Sequence, residues 1–289
     1  MIIDSHVHLW KNQCGRVHDT DVYHIGDGIS IFDGEKRQMM PPYMTDGVNS
    51  AERLIANMNY AGVSGAVITQ EEIDGNQDEY LKSVKGEYLN RLKICSLYQE
   101  GKSCSLNGFD GIKLCACRFR EQNLLKHFDV FKKAADYNKF ISIDLSDGDA
   151  QTKELSEIAS ELPNLKIAIG HFGMVTRENW KEQIMLARHK NVFVESGGIT
   201  WLFNDEFYPY PSAIRAINEA AEICSFDKLM WGSDYPRTMV EITYKMSSDF
   251  ILKSKEISEI DKEKMLYKNA FDFYKFNNFA EPEKIKNML

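Results

Sequence analysis

Two histidines separated by one residue, His6 and His8, are the first groups in the chain with the means to do chemistry. They lie in Asp4-Ser5-His6-Val7-His8, at the end of an apolar stretch. In a β-strand, side chains alternate between faces, so both imidazoles would point the same way. Imidazoles paired in this manner suit Zn²⁺, Fe²⁺ or Mn²⁺. Two further metal-capable residues close later apolar runs: His171 in Gly170-His171-Phe172-Gly173, and Asp234 in Gly232-Ser233-Asp234-Tyr235-Pro236. Each has a plain alternative when taken singly. His171 would serve as a core histidine bonded to backbone, and Asp234 as the cap of a turn. Four such groups at the ends of three runs point together to a site where a metal ion or a proton-transfer set activates water.

The elements that must position them follow a regular rhythm. Eight short runs rich in Ile, Val and Phe occupy residues 1–8, 63–70, 91–98, 108–115, 139–146, 165–171, 191–197 and 228–235. Amphipathic segments alternate with them at 50–61, 123–138, 152–162, 177–189 and 211–224. In 123–138 the apolar residues Leu124, Phe128, Phe131 and Ala135 recur at steps of three and four. The link 99–107 is too short and polar for a full helix, and 256–276 reads as a helical tail ending in Phe271, Phe273, Tyr274 and Phe276. Strands alternating with helices imply parallel pairing. Eight units in this length predict an α/β fold, a (β/α)8 TIM barrel forming one domain over 1–289. A doubly wound sheet is the alternative, but the glycine-rich phosphate turn usual after its first strand is missing. Residues 11–48 interrupt the rhythm as a long loop after strand 1, inserted over the face where barrel active sites form.

Composition excludes several classes. The chain has 35 basic and 43 acidic residues, net -8, and no basic cluster with interleaved aromatics, so it does not read as a nucleic-acid binder. It has no apolar stretch long enough to span a membrane and no secretory signal pattern. Six cysteines without a CxxC pair suggest a reduced, cytoplasmic protein.

The start MIIDSHVHLW, the GHFG at 170–173, the WGSDYP at 231–236 and the ending YKNAFDFYKF, with its Asn269-Ala270 pair, occur in an order that resembles the amidohydrolase-related family. That group, within the amidohydrolase superfamily, includes lactonases, hydratases and aminocarboxymuconate-semialdehyde-type decarboxylases. The resemblance covers nearly the whole chain. It implies that His6 and His8 are metal ligands, that Asp234 binds the metal and takes a proton from water, and that His171 is a ligand or an acid–base partner. It also implies a small-molecule substrate and relatives that form homodimers. One position departs from the pattern. Where many members carry a histidine at the end of strand 5, this chain has Asp144. Either Asp144 is a harder ligand for one divalent ion, Zn or Mn, or the chain works without metal, as some lactonases of the group are thought to do.

Around this set, Lys113 resembles a family position that meets anionic substrates, with a salt bridge as its alternative. Gln70 resembles a substrate-facing position in related lactonases. Arg237, just past Asp234, would bind a carboxylate or lie on the surface. Trp201 and Tyr208 would wall the pocket or pack helices. Glu195 would hydrogen-bond a ligand histidine or pair with Lys113. Cys115 and Cys117 are thiolate ligands or buried thiols, and Glu71 and Glu72 are simply solvated. His18, His24, His127 and His189 fall outside the predicted set.

Three functions stay open. The leading one is a hydrolase in which activated water attacks a lactone, ester or amide carbonyl. The second is a metal-dependent decarboxylase of an unsaturated or aromatic acid. The third is a non-catalytic binding barrel.

Overall fold

The computed structural model describes residues 1–277 and 279, apart from 18, 89 and 105. Strand β1 (Ile3–Val7) is followed by four short strands, β2 (Cys14–Val17), β3 (Thr20–Gly26), β4 (Ile29–Phe32) and β5 (Glu35–Gln38). Seven more come in turn: β6 (Gly65–Ile68), β7 (Leu92–Leu97), β8 (Gly111–Leu114), β9 (Phe140–Ile143), β10 (Ile167–Ile169), β11 (Val192–Glu195) and β12 (Leu229–Met230). The eight-stranded sheet runs β1-β6-β7-β8-β9-β10-β11-β12 with parallel pairing throughout. Backbone bonds join its ends: Ser5 N–H donates to Trp231 O at 2.9 Å and His8 N–H to Tyr235 O at 2.8 Å. The fold is therefore a (β/α)8 barrel. Its eight strands fall inside the eight apolar runs of the sequence, each shorter than its run.

Helices α1 (Ala51–Ala61), α2 (Asp78–Glu87), α3 (Phe128–Asp136), α4 (Thr152–Glu161), α5 (Trp180–Met185), α6 (Ile199–Leu202), α7 (Pro211–Cys224), α8 (Met246–Leu252), α9 (Glu259–Glu263) and α10 (Asn269–Tyr274) fill the connections. Helix α1 is capped at both ends: Ser50 Oγ accepts from Arg53 N, and Gly62 sits at φ 75° past its last turn. Its buried face is Ala51, Leu54, Met58 and Ala61, the 3–4 spacing of an amphipathic helix. Neither α2 nor α8 is foreseen in the sequence. Among the described residues, no helix is long and apolar enough to cross a membrane.

The tail closes the bottom of the barrel. Phe273, Tyr274 and Phe276 cluster with Ile3, Val67, Cys95, Phe140, Ala168 and Met230, which come from six barrel strands. Burying one such aromatic contributes roughly 1.5–3 kcal/mol. A π-helical turn over Lys264–Lys268 precedes α10. The Met265 carbonyl in this turn accepts the Trp231 N–H at 2.9 Å, just beyond the two-residue strand β12.

The excursion after β1 carries structure that its sequence does not reveal. Strands β2 to β5 form an antiparallel sheet in that order. The sheet docks on the turn Glu72–Asp74 after β6 through a small core of Val17, Val22 and Ile73. Residues 11–48 are thus a folded layer at the barrel mouth rather than an irregular loop.

Candidate active site

The C-terminal ends of β1, β10 and β12 bring His6, His8, His171 and Asp234 together. His6 Nε2 lies 3.2 Å from His8 Nε2, and His8 Nε2 lies 2.8 Å from Asp234 Oδ1. The third side of this triangle, His6 Nε2 to Asp234 Oδ1, is 3.9 Å. Strand β1 bulges between Asp4 and Val7, where His6 leaves the sheet. Glu195, the last residue of β11, holds His6 Nδ1 at 2.6 Å. That contact keeps the proton on Nδ1 and leaves a lone pair on Nε2. Asp234 Oδ2 accepts the Trp201 Nε1–H at 2.8 Å.

These donors fit a divalent ion. Ligand atoms around a tetrahedral ion with bonds of about 2.0–2.2 Å stand roughly 3.3–3.6 Å apart. The three observed separations bracket that value, and all three residues are buried. Chemically, the trio presents a carboxylate oxygen and an imidazole lone pair beside a second imidazole, which a cation between them reconciles.

Close backbone packing makes room for this arrangement. A Cβ on Gly232 would stand 2.6 Å from Glu195 Oε2 and 2.8 Å from His6 Cβ, so only glycine fits before Ser233. His171 and Asp234 adopt φ 55° and 61°, the left-handed region that residues with a Cβ rarely occupy. Beneath them, Asp4 accepts from Ser233 N at 2.8 Å, Ser233 Oγ at 2.5 Å, Tyr244 Oη at 2.7 Å and His6 N at 3.1 Å. It thereby ties β1 to the segment after β12. Burial pushes the Asp4 carboxyl up to about 6 against these hydrogen bonds.

Burial, with the Arg237 charge, pushes His8 down to about 4, which keeps its imidazole neutral and available as a ligand. Burial works against ionisation of Asp234, but its bond to His8 and the charge of Arg237 outweigh it and hold the carboxylate ionised. His171 behaves oppositely. Burial opposes its imidazolium, yet the Asp144 carboxylate raises it to about 9. Its Nδ1 faces the Gly197 carbonyl at 3.0 Å and its Nε2 faces Asp144 Oδ2 at 3.7 Å.

Three sequence-based expectations need correction. Lys113 does not reach substrate. It is fully buried behind the cleft wall, with Nζ 2.6 Å from Asp144 Oδ1. The same pair engages Asp144. Although it lies with His6 and His171 in a second trio of ligand-capable atoms, the nearest cation to its Oδ1 is the Lys113 ammonium. Gln70, expected to face substrate, is consumed by the scaffold: its Nε2 donates to Asp78 Oδ1 and Cys95 O, and its Oε1 accepts from Gln77 N. Glu71 is buried rather than solvated. Burial would raise its carboxyl, but Arg118, with Nε 3.0 Å away, holds it at about 2.

A cleft of about 460 Å³ opens over the site. His8, Asp144, His171, Trp201, Asp234 and Arg237 form its floor and inner wall. Phe32, Arg37, Gln38 and Met39 reach it from the inserted sheet, and Ile73, Leu145, Met174 and Val240 add apolar surface. Cys117 lines the cleft and is exposed, whereas Cys115 is buried beside Glu71 and Asp144. Tyr208 is absent from the lining. Of the histidines set aside, His127 and His189 bond to Tyr98 and Ser156 away from the cleft, His24 packs on Gly47, and His18 lies outside the described residues. Sequence analysis misses Asp74, which holds Arg237 from behind, and Gln13, which bonds Asp74; neither lies in a motif.

Barrel and site together define a (β/α)8 protein with a candidate metal centre at its C-terminal face. The amidohydrolase family model matches residues 3–276, and the chain belongs to that enzyme family. No curated protein matches it. Among solved structures it is similar to a probable 2-pyrone-4,6-dicarboxylic acid hydrolase from Acinetobacter baumannii with citric acid bound, at 17% identity, covering 95% of this chain and 99% of that one, TM-score 0.65. An amidohydrolase from Burkholderia multivorans with bound zinc is 13% identical, covering 96% and 100%, TM-score 0.67. A 2,6-dihydroxybenzoate decarboxylase bound to 2,6-dihydroxybenzoate is 12% identical, covering 79% and 89%, TM-score 0.58. At these identities the likeness speaks to the fold.

Proposed function

We propose that this protein hydrolyses a small anionic lactone, ester or amide, assisted by one divalent ion, zinc or manganese, held by His6, His8 and Asp234. The observation that carries this reading is the convergence of His6 Nε2, His8 Nε2 and Asp234 Oδ1, with His8 and Asp234 lining the cleft and His6 buried behind them. The zinc bound by the Burkholderia multivorans amidohydrolase lends it support. Such an ion supplies a water of pKa near ~7 and polarises a carbonyl oxygen.

The chain's own residues do the rest. Asp234 takes the proton of the attacking water at Oδ2, which keeps a lone pair after accepting from Trp201. His171, with Nδ1 fixed on the Gly197 carbonyl, delivers a proton from Nε2 to the leaving atom, oxygen in a lactone or ester and nitrogen in an amide. Trp201 and the apolar lining restrict water around the reacting carbonyl. An acidic group on the substrate is favoured because Arg37 and Arg237 line the cleft, Arg118 being already paired with Glu71. The lactone preference is consistent with the pyrone dicarboxylate hydrolase of the same fold.

A panel of lactones, esters and amides, followed by proton release with zinc or manganese supplied, tests the reading. Turnover that disappears in the His6→Ala/His8→Ala variant is the expected result. Carbon dioxide release from unsaturated or aromatic acids would replace hydrolysis with a carbon–carbon lyase activity. Binding with no turnover would make the barrel a receptor.

A further inference from the structure

Arg237 holds a donor with nothing to donate to. Its Nη2 is gripped by Asp74, at 2.9 Å from Oδ1 and 2.8 Å from Oδ2. Its Nη1 is buried without a hydrogen-bond partner and lies 3.9 Å from Asp234 Oδ1, too far to bond it. An orphaned guanidinium nitrogen at the wall of a cleft is costly unless a ligand completes it.

What holds Arg237 in this pose begins in the inserted sheet. Ser30 Oγ, on β4, donates to Gln13 Oε1 at 2.5 Å. Gln13 Nε2 donates to Asp74 Oδ1 at 3.0 Å. Asp74 then holds the guanidinium, which also stands 5.7 Å from the centre of the Trp10 ring. Ser30, Gln13 and Asp74 are all buried, and none of them lines the cleft. The line of bonds therefore starts in the layer that covers the mouth and ends at the residue facing the candidate ligand Asp234.

We propose that Ser30, Gln13 and Asp74 are positioning residues that fix Arg237 Nη1 as the donor of a carboxylate-binding subsite beside Asp234. The proposal rests on the reading of the cleft as a substrate site. Asp74 already balances the guanidinium charge, so Nη1 offers a fixed, charge-assisted hydrogen bond rather than a free charge. The inserted sheet then has a second task besides covering the mouth: it sets the angle at which the acidic group is received.

Equilibrium binding tests this without any turnover, so a failure of the hydrolase reading and a failure of this one are separable. Calorimetry on the full chain compares cyclohexanecarboxylate with its neutral analogue cyclohexanecarboxamide at constant ionic strength. The wild type should prefer the acid by about tenfold or more, the worth of one hydrogen bond to a charged group. Arg237→Met should erase the preference. Gln13→Glu, which keeps the shape but places an acceptor against Asp74, should reduce it by most of that factor, and Ser30→Ala by less. Guanidinium ion added to Arg237→Ala should restore the preference, and should fail to do so when Gln13→Glu is also present. A merely structural role for the relay would move melting temperature and leave acid-over-amide selectivity alone. Wild type without a preference, or a preference unchanged in Arg237→Met or in Gln13→Glu, would overturn the proposal.

Discussion

Two clusters of buried polar groups share the barrel mouth, and they differ in how they settle their charge. On the β1/β12 side, His6, His8 and Asp234 turn their ligand atoms toward one another across 2.8–3.9 Å. On the β8/β9 side, Lys113 lies 2.6 Å from Asp144, and close by Arg118 lies 3.0 Å from Glu71. In the second cluster each buried carboxylate has a cation from the chain beside it. The first, as proposed, takes its cation from outside. This difference accounts for the aspartate at the end of strand 5. With an ammonium beside it, Asp144 belongs to an internal ion pair, and the proposed metal site lies with residues at the ends of β1 and β12.

Breaking the first cluster should have the largest effect. His6→Ala with His8→Ala should abolish turnover while leaving the circular-dichroism spectrum and cooperative melting in place, since neither side chain belongs to the hydrophobic core clusters. Asp234→Asn should lower kcat by about 10²–10⁴ with a smaller change in KM, the range expected when a general base is lost. An unchanged rate would reduce Asp234 to the cap of a turn.

Breaking the second cluster should act on stability instead. Lys113→Met strands the Asp144 carboxylate and should cost about 3–5 kcal/mol in denaturant unfolding, while Lys113→Met/Asp144→Leu should recover much of it. Equal loss in both variants would deny the pair its role. Glu195→Gln sharpens the contrast from the metal side. By weakening the hold on His6 Nδ1, it should reduce metal affinity by about 10–100-fold, read in a chelator competition.

The smallest effect is on acid stability. Glu71 titrates near 2 when folded and higher when unfolded, so its ion pair stabilises the fold above the unfolded value and is lost as pH falls toward 2. Arg118→Gln removes the main opposing charge. The acid-unfolding midpoint should move to higher pH, with little change at neutral pH beyond the lost pair.

The barrel is legible in the sequence because buried parallel strands read as continuous apolar runs, and each of the eight is bounded by turns or charged residues. What escapes is local structure held by tertiary contacts. Helix α2 buries only Leu81 and Val84, too few to show a periodic face. Strand β5 is Glu35-Lys36-Arg37-Gln38, exposed along its whole length, and it exists because β4 pairs with it. At the site, the spacing of His6 and His8 carries its own geometry, since alternate strand residues share a face. The partners of Lys113, Gln70 and Arg237 do not follow from spacing. Lys113 finds Asp144 from the next strand, Gln70 is turned into the scaffold by a left-handed backbone, and Arg237 is held by an aspartate 163 positions away.

Metal content separates the two clusters most directly. Protein purified without chelator or added metal would be analysed beside the His6→Ala/His8→Ala and Asp144→Asn variants. The account predicts one equivalent of zinc or manganese in the wild type, none in the double variant, and close to one equivalent in Asp144→Asn. Metal retained without the two histidines, or lost with Asp144 alone, would contradict it.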